Sequence, residues 1–219
     1  MRLVGVLTVF AQSALGLKDS EGNSGKWYLR LWKGRNRQEM DYGTAYRLIL
    51  GELGGALGHV SEEQVNAFRR LVAEARAVFV TGEGRSGLVG RCFAMRLLHL
   101  GLRAHVVGGT TTPAFGEDDV LVAVSGSGET DLTCAVARLA AKAGGKVVAV
   151  TSARESPLAE LANVTVSIGA GAESGTSAQY GRSLFEQSAL IVRDAVVMQL
   201  ERETGRRRDE MDARHANLE

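Results

Sequence analysis

The chain is poor in several residue types, and each shortage excludes a class of protein. Its 219 residues include two cysteines, two prolines and 5% aromatic residues, and the formal net charge is only +1. Cys92 and Cys134 both fall in helix-like segments, with neither a disulfide framework nor a zinc-ligand spacing. A reduced, cytoplasmic protein is therefore expected. The near-neutral charge and the few stacking side chains argue against nucleic-acid binding.

Long apolar runs are also missing, since no stretch reaches the ~18 consecutive apolar residues of a membrane-spanning helix. Arg2 and the apolar residues 1–10 are compatible with a signal peptide, but the run is short and the flanking charge slight. Residues 1–39 carry seven Lys and Arg residues and three Asp and Glu residues, a net charge of +4. The rest of the chain carries 19 basic and 22 acidic residues, a net charge of −3. We therefore expect residues 1–39 to be an extension, poorly ordered or the product of an upstream start, and residues 40–219 to form one folded domain.

From residue 78 onward, strand-like and helix-like segments alternate. Two amphipathic helices are predicted first, over residues 42–57 and 61–75. Strands are predicted at residues 78–81, 103–107, 119–124, 146–151 and 164–168, and helices at 88–100, 130–143, 157–162 and 183–202. This alternation is typical of right-handed βαβ units. We predict an α/β fold: a three-layer αβα sandwich with a five-stranded parallel sheet and the N-terminal helices packed on it.

One stretch, residues 125–130 with the sequence SGSGET, predicts an anion site; we call it the serine turn. It follows the apolar run 120–124 and precedes a predicted helix. Glycines allow backbone N–H groups to point toward one ligand, hydroxyls add donors, and a helix N-terminus contributes partial positive charge. A tight turn that is merely capped by serine is the alternative. The two hydroxyls interleaved with two glycines, and the third at Thr130, favour phosphate binding.

A second glycine-rich stretch, residues 82–87 (GEGRSG), follows the first predicted strand; we call it the glycine turn. It matches the dinucleotide-binding pattern, but an NAD site needs a carboxylate at the end of the next strand, where Val106, Val107 and Gly108 stand instead. The Ser86 hydroxyl is better explained as a group that binds a ligand than as part of an NAD site. The glycine turn, the threonines 110–112 and the serine turn are all expected at the carboxyl ends of strands, where open α/β sheets bind ligands. A solvated loop is the alternative for the threonines.

The patterns of several enzyme classes are absent. The sequence contains no Gly-x-Ser-x-Gly elbow, no Walker A motif and no clustered metal ligands. One carboxylate remains, that of Glu186, in the first turn of the last long helix and beside Leu184, Phe185 and Ala189. Apolar neighbours raise the pKa of a carboxyl group and suit it to act as a base, although a glutamate that merely complements the helix dipole is the alternative. His215, in the C-terminal tail, has no such signal.

Six short segments, in the same order along the chain, resemble the 6-phospho-3-hexuloisomerases of the sugar isomerase (SIS) domain family: residues 84–88 (GRSGL), 93–97 (FAMRL), 111–113 (TTP), 125–130 (SGSGET), 183–187 (SLFEQ) and 215–219 (HANLE). The resemblance extends from about residue 40 to the end. Glu83 and Gly109 depart from the family pattern, and Glu83 would bring a carboxylate near the phosphate.

The resemblance implies interconversion of D-arabino-hex-3-ulose 6-phosphate and fructose 6-phosphate, in the ribulose monophosphate pathway of formaldehyde fixation. Glu186 would be the base, and His215 would act at the sugar oxygens, reaching into a neighbouring subunit of a homotetramer. A pathway association with 3-hexulose-6-phosphate synthase is also implied. No cofactor and no metal would be needed. The substrate-binding residues would be Arg85, Ser86, Ser125, Gly126, Ser127, Gly128, Glu129 and Thr130.

Two other functions stay open at this point. One is isomerisation of another phosphosugar, such as an aldose–ketose pair. The other is a non-catalytic sugar-phosphate sensor, although no DNA-binding segment accompanies the domain. No nucleic acid and no membrane partner is expected.

Overall fold

The computed structural model describes residues 40–169 and 177–218, so the prediction for residues 1–39 lies outside the described residues. The elements are α1 (Tyr42–Leu57), α2 (Glu62–Glu74), β1 (Val78–Gly82), α3 (Gly84–His99), β2 (Ala104–Val106), β3 (Val120–Val124), α4 (Asp131–Lys142), β4 (Lys146–Thr151), α5 (Pro157–Leu161), β5 (Val164–Ser167), α6 (Ser183–Thr204) and α7 (Arg208–Asp212). In these residues, no helix combines the length and apolar character that crossing a bilayer requires.

The five strands form one parallel sheet in the order β2-β1-β3-β4-β5, which confirms the predicted sheet. The central strand β3 is buried throughout, because helices cover both faces. Valines 78, 80, 120, 122, 124, 148 and 150 face a core with α2, α3 and α6. Phe79, Leu121, Ala123, Val147 and Ala149 face the opposite core, with α4 and α5. The result is the predicted three-layer αβα sandwich.

The two N-terminal helices pack in different places. Phe68 and Val72 of α2 contribute to the core against the sheet. In α1, Leu53 and Ala56 instead pack on Leu184, at the start of α6. Each helix begins with a side-chain cap: the Asp41 side chain accepts from the Thr44 N–H, and the Ser61 side chain accepts from the Gln64 N–H. Helix α1 thereby braces the end of α6 that carries Glu186.

Helix α3 begins at Gly84, four residues before the predicted start, so that prediction was wrong at its N-terminal boundary. The physical reason is a close approach between helix and strand. A Cβ added to Gly87 would lie 2.3 Å from the carbonyl oxygen of Gly82, so the first turn of α3 packs directly on the end of β1. Gly84 adopts a φ of 57°, which favours glycine. The spacing that resembles a dinucleotide fingerprint therefore serves helix–strand packing.

Gly87→Ala should destabilise the protein by about 1–3 kcal/mol, because the new methyl group meets backbone that has little room to move. Gly54→Ala is the matched control: the Cβ would meet nothing within 4 Å, and alanine is the better helix former, so a gain of about 0.5–1 kcal/mol is expected. Urea denaturation measures both changes in the free energy of unfolding. Equal effects of the two substitutions would contradict the proposed contact.

Candidate active site

The serine turn and the glycine turn lie side by side at the carboxyl edge of the sheet, because they follow the paired strands β3 and β1. A cavity of about 270 Å³ opens between them and the start of α6. Its size is at the small end of ligand sites. The lining residues are Glu83, Gly84, Arg85, Ser86, Val124, Ser125, Gly126, Ser127, Thr130, Arg182 and Glu186.

The serine turn is held by its own hydroxyls. Ser125 Oγ accepts from the Gly128 N–H at 3.1 Å and lies 2.9 Å from Thr130 Oγ1. The Gly126 carbonyl points to the loop after β4, where it accepts from Ser152 Oγ at 2.6 Å. In the part of the chain that the structure describes, the N–H groups of Gly126 and Ser127 have no protein acceptor. These two donors are available for an anionic ligand.

Gly128 makes the turn possible without lining the cavity. Its φ is 67°, and an added Cβ would lie 2.1 Å from Ser156 Oγ, so any side chain would collide with the start of α5. Gly128 therefore determines the shape of the turn, and the substrate contact predicted for it stays a prediction. Glu129 is exposed and lines a second, adjacent cavity of about 440 Å³ rather than the first.

Glu186 lies in the first turn of α6, with only 8% of its surface exposed. Its carboxylate accepts a hydrogen bond from Nε of Arg85, at the start of α3. The apolar neighbours expected from the sequence are present, since Phe185 and Ala189 are fully buried. The guanidinium partner was not expected, because 101 residues separate the two side chains. The carboxylate is thereby oriented toward the cavity that the serine turn also faces.

Comparison with known proteins identifies the family. The SIS domain model matches residues 71–192, which is more than half of the chain. The chain belongs to the SIS domain family. It is 44% identical to a 3-hexulose-6-phosphate isomerase of Mycobacterium gastri over 176 residues, covering 78% of this chain and 88% of the relative. The identity with the Bacillus subtilis enzyme of the same name is 35%, covering 78% and 95%.

Solved structures agree with this assignment. A crystal structure of a hypothetical protein from Methanococcus jannaschii, from which a 3-hexulose-6-phosphate isomerase function was inferred, superposes with a TM-score of 0.70 at 30% identity. The match covers 80% of this chain and 99% of that one. Vibrio vulnificus NanR, complexed with ManNAc-6P, matches with a TM-score of 0.66 at 22% identity and shows a shared fold. The predicted family and SIS fold are confirmed.

His215 is the predicted catalytic residue that this SIS domain does not bring to its own cavity. Its ring stacks on His99, with centroids 3.9 Å apart, and Arg214 Nη1 donates to the His99 carbonyl at 3.3 Å. His99 follows Arg85 by fourteen residues on α3, or roughly 20 Å along the helix axis. The pKa of His99 is lowered by burial, and further by His215 and Arg96, while Asp212 opposes the shift. A catalytic His215 must therefore act on a site other than that of its own subunit, or leave this position.

Sequence reasoning missed one charged residue of the cavity, Arg182, and left the orientation of another, Glu83, open. Glu83 is exposed, lines the cavity and caps α3 without a side-chain hydrogen bond. Arg182 immediately precedes α6 and lines both cavities. A signal existed for Arg182, because it stands four residues, or about one helical turn, before Glu186 in the sequence. The signal was weak, because a lone arginine beside a loop is common on protein surfaces.

Proposed function

We propose that this chain is a 6-phospho-3-hexuloisomerase, which interconverts D-arabino-hex-3-ulose 6-phosphate and fructose 6-phosphate. The observation that carries the proposal is the shared cavity: a carboxylate and an anion-binding turn face the same space. The names of the relatives at 44% and 35% identity support the choice of substrate. The serine turn would hold the phosphate, and the carbon chain would extend from it toward Glu186.

The chemistry requires one base on one face of the sugar. Glu186 removes the proton from C2 of the hex-3-ulose, the electron pair forms the C2–C3 double bond of a cis-enediol, and the O3 oxygen takes a proton. Return of a proton from Glu186 to C3, with loss of the proton on O2, completes fructose 6-phosphate. The fixed phosphate positions C2 and C3 for both steps, so that binding energy remote from the reacting carbons lowers the barrier. His215 would move the protons between the two oxygens, a role that suits a histidine near neutral pH.

The assembly forms a second part of the proposal. We infer a homo-oligomer, a tetramer by the resemblance, in the cytoplasm and within the ribulose monophosphate pathway, beside 3-hexulose-6-phosphate synthase. Exposed apolar side chains support association: Leu88, Met95 and Leu98 lie on α3, and Ile191 and Met198 on α6. Several exposed apolar side chains on two helices are suited to a protein–protein contact. A neighbouring chain seated there would be the source of His215.

Proton exchange in deuterated water tests the proposed reaction. Fructose 6-phosphate incubated with the protein should lose its C3 proton to solvent, as followed by proton NMR, because the enediol joins C2 and C3. An aldose–ketose isomerase would exchange a C1 proton instead, and a non-catalytic sensor would exchange neither. Exchange confined to C1 would overturn the proposal.

A further inference from the structure

Two arginines line the cavity, and among the described residues only one of them has an ion-pair partner. Arg85 is bonded to Glu186. Arg182 takes part in none of the ion pairs formed among the described residues. Because a guanidinium carries a full charge at any physiological pH, Arg182 places at the edge of the cavity a cation that has no ion-pair partner among the described residues.

The Arg182 side chain lies directly against the serine turn. A Cβ built on Gly126 would be 2.9 Å from Arg182 Cδ and 3.4 Å from Arg182 Nη1. The N–H groups of Gly126 and Ser127, which lack an acceptor among the described residues, belong to the same part of the turn. A guanidinium and two backbone donors without an acceptor among the described residues therefore belong to residues that line one cavity, and this combination of donors is suited to a phosphate.

The backbone that carries Arg182 is anchored from α1. Glu52, which is 9% exposed, accepts hydrogen bonds from Ser177 Oγ at 2.8 Å, from the Ala178 N–H at 2.6 Å and from Gln179 Nε2 at 3.0 Å. These residues lead directly into the turn before α6. The arginine is thus presented by a fixed segment, so that less entropy is lost when it closes on a ligand.

The net charge of the side chains that line the cavity indicates a role for Arg182. Four ionisable side chains line the cavity: Glu83 and Glu186 are negative, and Arg85 and Arg182 are positive, so their charges cancel. Without Arg182 the net charge of these side chains would be −1, and a phosphate monoester itself carries a charge of about −1.5 to −2 at neutral pH. We propose that Arg182 is a substrate-binding residue, whose guanidinium holds the phosphate against the serine turn and offsets the carboxylate of Glu83. This inference rests on the proposed function only in taking a phosphosugar as the ligand.

Calorimetric titration of the full chain with fructose 6-phosphate, and separately with inorganic phosphate, tests the proposal. Arg182→Ala should raise the Kd of both ligands about tenfold, the cost of one charge-assisted hydrogen bond. Arg182→Lys should recover part of the loss, since it keeps the charge without the planar fork. In the isomerase assay KM should rise in parallel while kcat stays within a few-fold. In Arg182→Ala, Kd should depend less on salt concentration than in the unsubstituted protein.

Arg154→Ala is the matched control, because Arg154 lines only the second cavity and donates to Ser167 Oγ at 3.2 Å. It should leave both Kd values unchanged. Glu83→Gln combined with Arg182→Ala should bind better than Arg182→Ala alone, since it removes the charge that Arg182 offsets. Unchanged binding by Arg182→Ala, or an equal loss in Arg154→Ala, would overturn the proposal. If turnover is absent but the Kd effects hold, the proposed function fails and the phosphate contact stands.

Discussion

Glu186→Gln should reduce kcat by roughly 100- to 10,000-fold while fructose 6-phosphate still binds. The amide keeps an oxygen that can accept from Arg85, so the side chain keeps its shape and orientation. What it loses is the capacity to take a proton from carbon. Binding is expected to persist because the phosphate is held by the serine turn, a separate part of the cavity. The measurement is steady-state kinetics beside calorimetric titration.

Two controls separate loss of chemistry from loss of structure. The Arg85 side chain is 63% exposed, so breaking its ion pair should cost no more than about 1 kcal/mol, visible as a small shift of Tm. Glu83→Gln removes another carboxylate from the same cavity. It should lower KM and leave kcat unchanged, because it only relieves repulsion of the phosphate. Turnover by Glu186→Gln within a few-fold of the unsubstituted protein would eliminate Glu186 as the base.

The parts of the site that sequence could predict are those set by local patterns. The apolar run of β3 followed by the serine turn indicated the strand and a turn at the edge of the sheet, which lines the cavity, because backbone geometry there depends on adjacent residues. Strand–helix alternation predicted the parallel sheet, and parallel strands bring their carboxyl ends to one edge. The position of Glu186 in the first turn of a helix was equally local.

What the sequence could not predict are pairings between distant residues. The bond between Arg85 and Glu186 spans 101 residues, and it exists only because α3 and α6 start at the same edge of the sheet. Arg182 is placed over Gly126 by the same packing. The stack of His215 on His99 depends on how the tail folds back, which no periodicity encodes. The early start of α3 was missed because glycine-rich segments predict turns, whereas here the glycines permit close packing.

A His215→Asn chain should show a large loss of kcat, about 100-fold or more, if the histidine moves protons between the sugar oxygens. In the described structure His215 stacks on His99 of its own chain, at the opposite end of α3 from Arg85. From this position the side chain can serve catalysis only in the cavity of a neighbouring subunit. Steady-state kinetics beside a His59→Asn control, a change at an exposed histidine near α1, measures the loss.

Subunit mixing decides whether the histidine acts between chains. Glu186→Gln and His215→Asn chains are each expected to be nearly inactive, but a mixed oligomer contains some sites with Glu186 from one chain and His215 from another. Co-expression with different affinity tags, followed by tandem purification, should therefore give activity well above that of either parent. No recovery in a mixed oligomer of verified composition would show that His215 does not complete a neighbour's site. If replacement of His215 nevertheless lowers kcat, the histidine must leave its stack on His99 to act in its own cavity.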